Sequence, residues 1–218
     1  MSILITGFGP FDGGSNASEA LVRALEREPS GSLAAAGSTV HALILPVDTE
    51  RAGVLLDEAI ARLRPLFLLM CGQAAGRDKI CLERVAINRR HFGVPDAGGA
   101  EIHNACVLEG GADRLAATWP DLDGAVAALR AAGIPAAVSE DCGTHLCNQM
   151  LYHAIHSARG RTPELAITFM HVPLLPEQAA RKEPAAMRHP DCPTMSLETM
   201  LRAVKTVLHH ATRMGEAA

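Results

Sequence analysis

Short, unbroken apolar runs alternate along this chain with segments whose apolar residues recur every three or four positions. The run Leu66–Cys71 contains no polar residue. A run so short and so continuously apolar fits a strand covered on both faces, and such strands belong to parallel sheets. Parallel neighbours need crossover connections, which lay helices against the sheet. The pattern predicts one α/β domain over residues 1–218: a three-layer sandwich with a mostly parallel, twisted central sheet and helices on both faces. At 218 residues the chain suffices for one such domain and is short for two.

Ile3–Thr6 is the first predicted strand, followed by the Gly- and Pro-rich loop Gly7–Gly14. Asn16 with Glu19 three residues on has the form of a capping box. The helix it opens puts Ala17, Leu21, Ala24 and Leu25 on one face. Val40–Val47 is a second strand, and Asp48 caps a helix with Val54, Leu55, Ala59 and Leu63 at helical spacing, closed by Pro65. Leu82–Asn88 reads as one strand and Phe92–Gly111 as a loop. A Leu122–Ala132 helix stops at Gly133, Pro135–Val138 and Leu165–Met170 are strands, and Leu197–Arg213 is a closing amphipathic helix.

The net charge of −4 is scattered, and no basic run points to nucleic acid. No apolar stretch is long enough for a bilayer, and the start of the chain carries no basic segment and cleavage site of the secretory kind. The six cysteines are therefore expected to be reduced. None forms C-x-x-C, and the ten histidines include no H-E-x-x-H, so neither a metal nor another cofactor is expected.

The segment Ser139–Asn148 carries the chemistry. A Gly143-Thr144 turn delivers Cys147 to the first turn of a helix, where free N–H groups and the positive end of the dipole favour a thiolate over a thiol. His171 follows the apolar run ending at Met170. Ligands of open α/β sheets bind at the carboxyl ends of strands. If the loops Gly7–Gly14, Gly72–Glu83, Ser139–Cys147 and His171–Gln178 converge there, Phe8, Phe11, Gln73, Glu83, Cys147 and His171 line one pocket. A thiol, an imidazole and a carboxylate are what thiol acyl transfer requires. Each alone has a plainer reading: Cys147 an inert buried thiol, His171 a satisfied strand-end histidine, Glu83 a solvated partner of Arg84, Gln73 a turn cap, the two phenylalanines loop plugs.

The same residues carry a family resemblance. Thr6-Gly7-Phe8-Gly9-Pro10-Phe11, Gly72-Gln73-Ala74-Ala75-Gly76-Arg77, Glu83-Arg84-Val85-Ala86-Ile87-Asn88, the Gly143-Thr144 and Cys147-Asn148 pairs, and His171-Val172-Pro173 with Pro176-Glu177-Gln178 occur in order. Together they resemble the pyroglutamyl peptidase I (pyrrolidone-carboxylate peptidase) family of cysteine peptidases. The resemblance implies a phosphorylase/hydrolase-like fold and a Cys147–His171–Glu83 triad. It implies Phe8 and Phe11 flanking a pyrrolidone ring, Gln73 reading its lactam, and His145 and Leu146 at the pocket. It further implies peptides with N-terminal pyroglutamate as substrates, no nucleic acid or membrane partner, a cytoplasmic location, and a homo-oligomer, dimer or tetramer.

The chain departs from the family pattern in places. Glu140-Asp141-Cys142 stands where uncharged residues are usual, and acids turned inward would raise the thiol pKa. His145 replaces an aromatic residue. Gly93 replaces an arginine before Val94-Pro95-Asp96, with Arg89 and Arg90 the candidates to substitute. Cys142 is read as a spectator, with a disulfide to Cys147 under oxidation the alternative. A nucleoside phosphorylase-like enzyme, a pseudo-enzyme binding a lactam, and an amidohydrolase acting on another cyclic amide are the rival readings.

Overall fold

The computed structural model describes residues 1–29, 32–34, 37–160, 164–189 and 191–216. In chain order the elements are β1 (Ser2–Phe8), α1 (Ala17–Leu25), β2 (Thr39–Leu45), α2 (Arg51–Leu63), β3 (Phe67–Gln73), β4 (Ile80–Glu83), β5 (Val85–Ile87) and β6 (Arg114–Ala116). They continue with α3 (Leu122–Ala131), β7 (Ala136–Ser139), α4 (Leu146–Ala158), β8 (Ala166–Val172), α5 (Pro176–Ala180), α6 (Pro184–Met187) and α7 (Leu197–Glu216). The main sheet has the order β2-β1-β3-β8-β4-β7. Strands β2, β1, β3 and β8 run parallel, whereas β4 is antiparallel to β8 and carries β7 parallel to itself. Among the described residues no helix is long and apolar enough to cross a membrane.

Side chains alternate across a strand, and here the alternation sorts the core into two layers. Ile3 and Ile5, Leu69 and Cys71, Ile80 and Leu82, and Met170 and Val172 pack with residues of α1, α3 and α7. Their neighbours Leu4 and Phe8, Leu68 and Met70, and Ile167 and Phe169 pack with α2 and α4. The same parity turns Gly72, Glu83 and His171 towards the α2/α4 side. A three-layer α/β sandwich results, as the apolar runs predict.

Several local expectations are corrected. The stretch Leu82–Asn88 is two strands in different sheets: β4 stops at Glu83, and β5 pairs antiparallel with β6. Arg84 between them donates its amide to Ser139 O and accepts from Ala117 N, so the chain crosses between the sheets at that residue. Asn16 caps α1 through Ser18 N, but Glu19 pairs with Arg23 instead of closing a capping box. The Asp48 carboxylate accepts from Glu50 N and Arg51 N at the start of α2. That helix buries Ala52, Leu56, Ala59 and Ile60, leaving Val54 58% exposed. His171 lies inside β8, not after it.

Candidate active site

Cys147 is the second residue of α4, whose N-cap His145 makes no side-chain capping bond. The approach to the helix is tied down around it. Gly143, with φ of +75°, donates its amide to the Asp141 carboxylate, and Thr144 and His91 exchange two hydrogen bonds of 2.8 and 3.0 Å. Asn148, fully buried, accepts from Ile87 N and donates to Ile87 O and Arg89 O, clamping α4 to the end of β5. Beneath the thiol lies Gly72. A Cβ there would stand 3.0 Å from Cys147 Sγ and 2.6 Å from the Phe169 ring, so the close approach of helix to strand requires glycine.

Gly72 is the register partner of His171 across β3 and β8, which brings the imidazole beside the ground under the sulfur. His171 Nδ1 lies 2.8 Å from Glu83 Oε1, with both side chains buried. A carboxylate only accepts, so Nδ1 carries the proton and Nε2 is left as the basic nitrogen. Glu83 reaches this position because β4 is short and antiparallel to β8: its Cα pairs with Phe169, two residues from His171 on the same face. β7 likewise runs against the parallel strands. The pattern of loops at four carboxyl ends is therefore replaced by one in which two short antiparallel strands end at mid-sheet.

Burial dominates the electrostatics. It pushes the Cys147 thiol up to about 12, with the Glu83 charge adding to the rise; its own backbone N–H and Arg77 oppose it. Burial lowers the His171 pKa, against the pull of Glu83. Burial thus favours the neutral thiol and the neutral imidazole, opposing the thiolate that the helix start favours. The helix terminus acts on the sulfur, but desolvation outweighs it. Glu140 and Asp141 are exposed, and the acid that loads the Cys147 thiol is Glu83. Arg89 donates to Asn104 Oδ1 and Arg90 to Cys106 O.

A cavity of about 190 Å³ opens beside Cys147, lined by Phe8, Phe11, Asn16, Val47, Gln73, His145, Leu146 and Cys147. Larger cavities of about 490 and 470 Å³, beside β2 and near Ala158, are lined by no cysteine among the described residues. Gln73 Oε1 accepts from Ala17 N and from Gln178 Nε2, both at 2.8 Å. Gln178 is fully buried and donates also to Ser15 O. With its oxygen occupied, the Gln73 amide is oriented so that its NH₂ is the group free for the cavity. His145 stacks on Phe92 at 4.1 Å, and its Nε2 donates to Val94 O at 2.9 Å. Burial lowers its pKa, so the neutral ring keeps a bare Nδ1 acceptor.

Two features were not legible beforehand. Cys142, buried, sits with its sulfur within 4.8 Å of ligand-capable atoms of Glu83 and His171. Among the described residues this is a grouping that could hold a metal ion, but Glu83 and His171 already bond each other. Arg77 Nη1 lies 3.1 Å from Glu83 Oε1. Arg77 closes the Gly72–Arg77 block, but its bond to Glu83 cannot be read from the sequence.

The chain matches a family model described as pyroglutamyl peptidase over residues 1–214. The pyrrolidone-carboxylate peptidase of Cupriavidus taiwanensis is 36% identical over 209 residues, covering 95% of this chain and 91% of that one. That of Thermococcus onnurineus is 37% identical over 209 residues, covering 95% and 97%. A mutant pyrrolidone carboxyl peptidase from Pyrococcus furiosus superposes with a TM-score of 0.88 at 29% identity, covering 98% of this chain and 99% of that one. Pyroglutamyl peptidase I of Bacillus amyloliquefaciens gives 0.86 at 29% identity, with 97% of each chain covered.

Proposed function

The chain belongs to the pyroglutamyl peptidase family, and from that membership we infer its activity: it is a cysteine-type omega-peptidase that removes pyroglutamate from peptide N-termini. We propose Cys147 as the nucleophile, His171 as the proton carrier and Glu83 as the group that orients it. The observation carrying this assignment is the buried 2.8 Å Glu83–His171 pair beside Gly72, with the Cys147 sulfur over that glycine at a small cavity.

As Cys147 Sγ attacks the carbonyl joining pyroglutamate to the next residue, its proton passes to His171 Nε2. The Sγ–C bond forms, and the carbonyl electrons move to oxygen. Amides at the start of α4, lacking intrahelical acceptors, are the candidates to receive that oxyanion; one such donor is typically worth about 2.7–4 kcal/mol. Collapse breaks the C–N bond, and the imidazolium, held by Glu83, protonates the departing amine. Water then attacks the thioester, giving a proton to His171. The C–S bond breaks, and the thiol is restored with pyroglutamic acid released.

A cavity of about 190 Å³ suits one small ring better than a peptide side chain pair. Phe8 and Phe11 offer apolar walls, the Gln73 NH₂ a donor for the lactam carbonyl, and His145 and Leu146 the rim. Proline lacks the lactam groups and would leave such partners unpaired, so it is rejected. We extend the reading to a cytoplasmic location and a dimer or tetramer, on the family resemblance. The phosphorylase-like, pseudo-enzyme and amidohydrolase readings draw no support from the family match. Reduced protein is expected to release fluorophore from pyroglutamyl-aminomethylcoumarin and not from the prolyl analogue. Absence of turnover would remove the reading.

A further inference from the structure

We propose that Arg77 is a positioning residue for this hydrolysis: its guanidinium holds the buried Glu83 carboxylate against His171 and ties it to the loop that delivers Cys147. The role rests on the peptidase reading above and goes to a side chain that reading leaves out.

Arg77 sits in the turn after β3, its amide donating to Ala74 O. Nη1 is 3.1 Å from Glu83 Oε1, the same oxygen that meets His171 Nδ1 at 2.8 Å. Nη1 also donates to Ser139 Oγ at 3.3 Å, and Nη2 donates to Asp141 O at 2.5 Å. Ser139 is the register partner of Glu83 across β4 and β7, and Asp141 begins the turn towards α4. One planar fork therefore joins the turn after β3, the carboxylate and the nucleophile loop. A lysine ammonium, a point charge on a flexible stem, cannot reproduce that span.

The carboxylate needs this neighbour. Glu83 is fully buried, and its Oε2 has no partner among the described residues. A buried charge stripped of its cation is strongly destabilised. Among the described residues, Arg77 is the one permanently charged group paired with it. Around the site, Glu83, Asp141, Cys142 and Cys147 supply negative or potentially negative groups, and Cys81 faces the guanidinium. Arg77 acts against them, drawing down the Cys147 and Cys142 thiols and the His171 imidazole, while Glu83 draws all three up.

The test compares Arg77→Gln and Arg77→Lys with the wild type by the pH dependence of iodoacetamide alkylation at Cys147, mapped by mass spectrometry, and of kcat/KM. Arg77→Gln is expected to move the alkylation profile and the acid limb upward by about one pH unit, with kcat lower by roughly tenfold to a hundredfold. Arg77→Lys should return both profiles to the wild-type position yet keep a reduced kcat, since the tie to Asp141 O is lost. An Arg77→Gln enzyme whose profiles coincide with wild type, however inactive, would overturn the proposal. So would a lysine variant with full kcat, which also decides the matter if the glutamine variant does not fold. Alkylation needs no substrate, so a shifted profile in a protein without turnover would sink the peptidase reading alone.

Discussion

The layer of α1, α3 and α7 meets the sheet through Ile3, Ile5, Leu69, Leu82, Met170 and Val172, a face of apolar side chains fully withdrawn from solvent. The layer of α2 and α4 meets the same strands through Leu4, Phe8, Leu68, Met70 and Phe169, but gives way to Gly72, Glu83 and His171 under the start of α4. Within β4 and β8 a single-residue step separates the two kinds of surface: Leu82 from Glu83, Met170 from His171. The first layer supplies burial, worth about 25 cal/mol per Å² of apolar area. The second admits buried polar groups, Glu83 among them, held by His171 and Arg77, and there burial raises the Cys147 thiol against the pull of the helix start.

That contrast breaks most sharply if mutations on the two sides fail to separate activity from stability. Cys147→Ala and His171→Ala are each expected to lower kcat by at least about a thousandfold, Cys147→Ala with thermal melting close to wild type and His171→Ala with a loss of about 1–3 kcal/mol as the buried Glu83 loses a partner. On the opposite layer Leu208→Ala, fully buried in α7, should lose about 2–5 kcal/mol of stability while the folded fraction keeps its kcat. Glu83→Gln retains shape but not charge, and should cost about a hundredfold to ten-thousandfold in kcat. Gly72→Ala tests the thin point between the layers. Its methyl must displace the Phe169 ring or the sulfur, and should cost about 1–3 kcal/mol together with turnover. A Gly72→Ala enzyme of full activity would contradict the placement of the sulfur.

Stability against pH sharpens the comparison further. The native state holds Cys147 near 12 against an ordinary 9.0, so above about pH 9 the unfolded chain sheds a proton that the native state keeps. Stability therefore falls as pH rises through that range. Cys71, raised to about 12 by burial, acts in the same sense. His171 is held below its ordinary 6.5, so the unfolded chain binds the extra proton as pH drops below that value, and stability falls there too. Denaturant midpoints measured from pH 5 to pH 11 should peak between these limits, with the alkaline decline shallower in Cys147→Ala. The smallest effect is expected for Cys142→Ala, which should retain most turnover although its thiol neighbours the pair.

Much of this was legible in the chain. Continuous apolar runs marked β1, β3 and β8 because both faces of those strands are covered, and the Gly143-Thr144 turn marked the start of α4 because a tight approach and a helix start have local signatures. The direction of β4 was not legible. A strand of four residues carries no mark of which neighbour it pairs with, and Arg84 gives no sign that the chain changes sheets there. Arg77 and Gln178 act through side chains distant in sequence, so spacing cannot reveal their bonds to Glu83 and Gln73. The place of Cys147 at the start of α4 can be read from sequence, whereas the burial that raises its thiol pKa cannot.

The acyl-enzyme itself tests the account most directly. Rapid acid quench of the protein with excess pyroglutamyl-aminomethylcoumarin, followed by peptide mapping, should find one pyroglutamyl group as a thioester on Cys147, and none on Cys142 or in the Cys147→Ala protein. A pyroglutamyl group on another residue, or turnover surviving in Cys147→Ala, would contradict it.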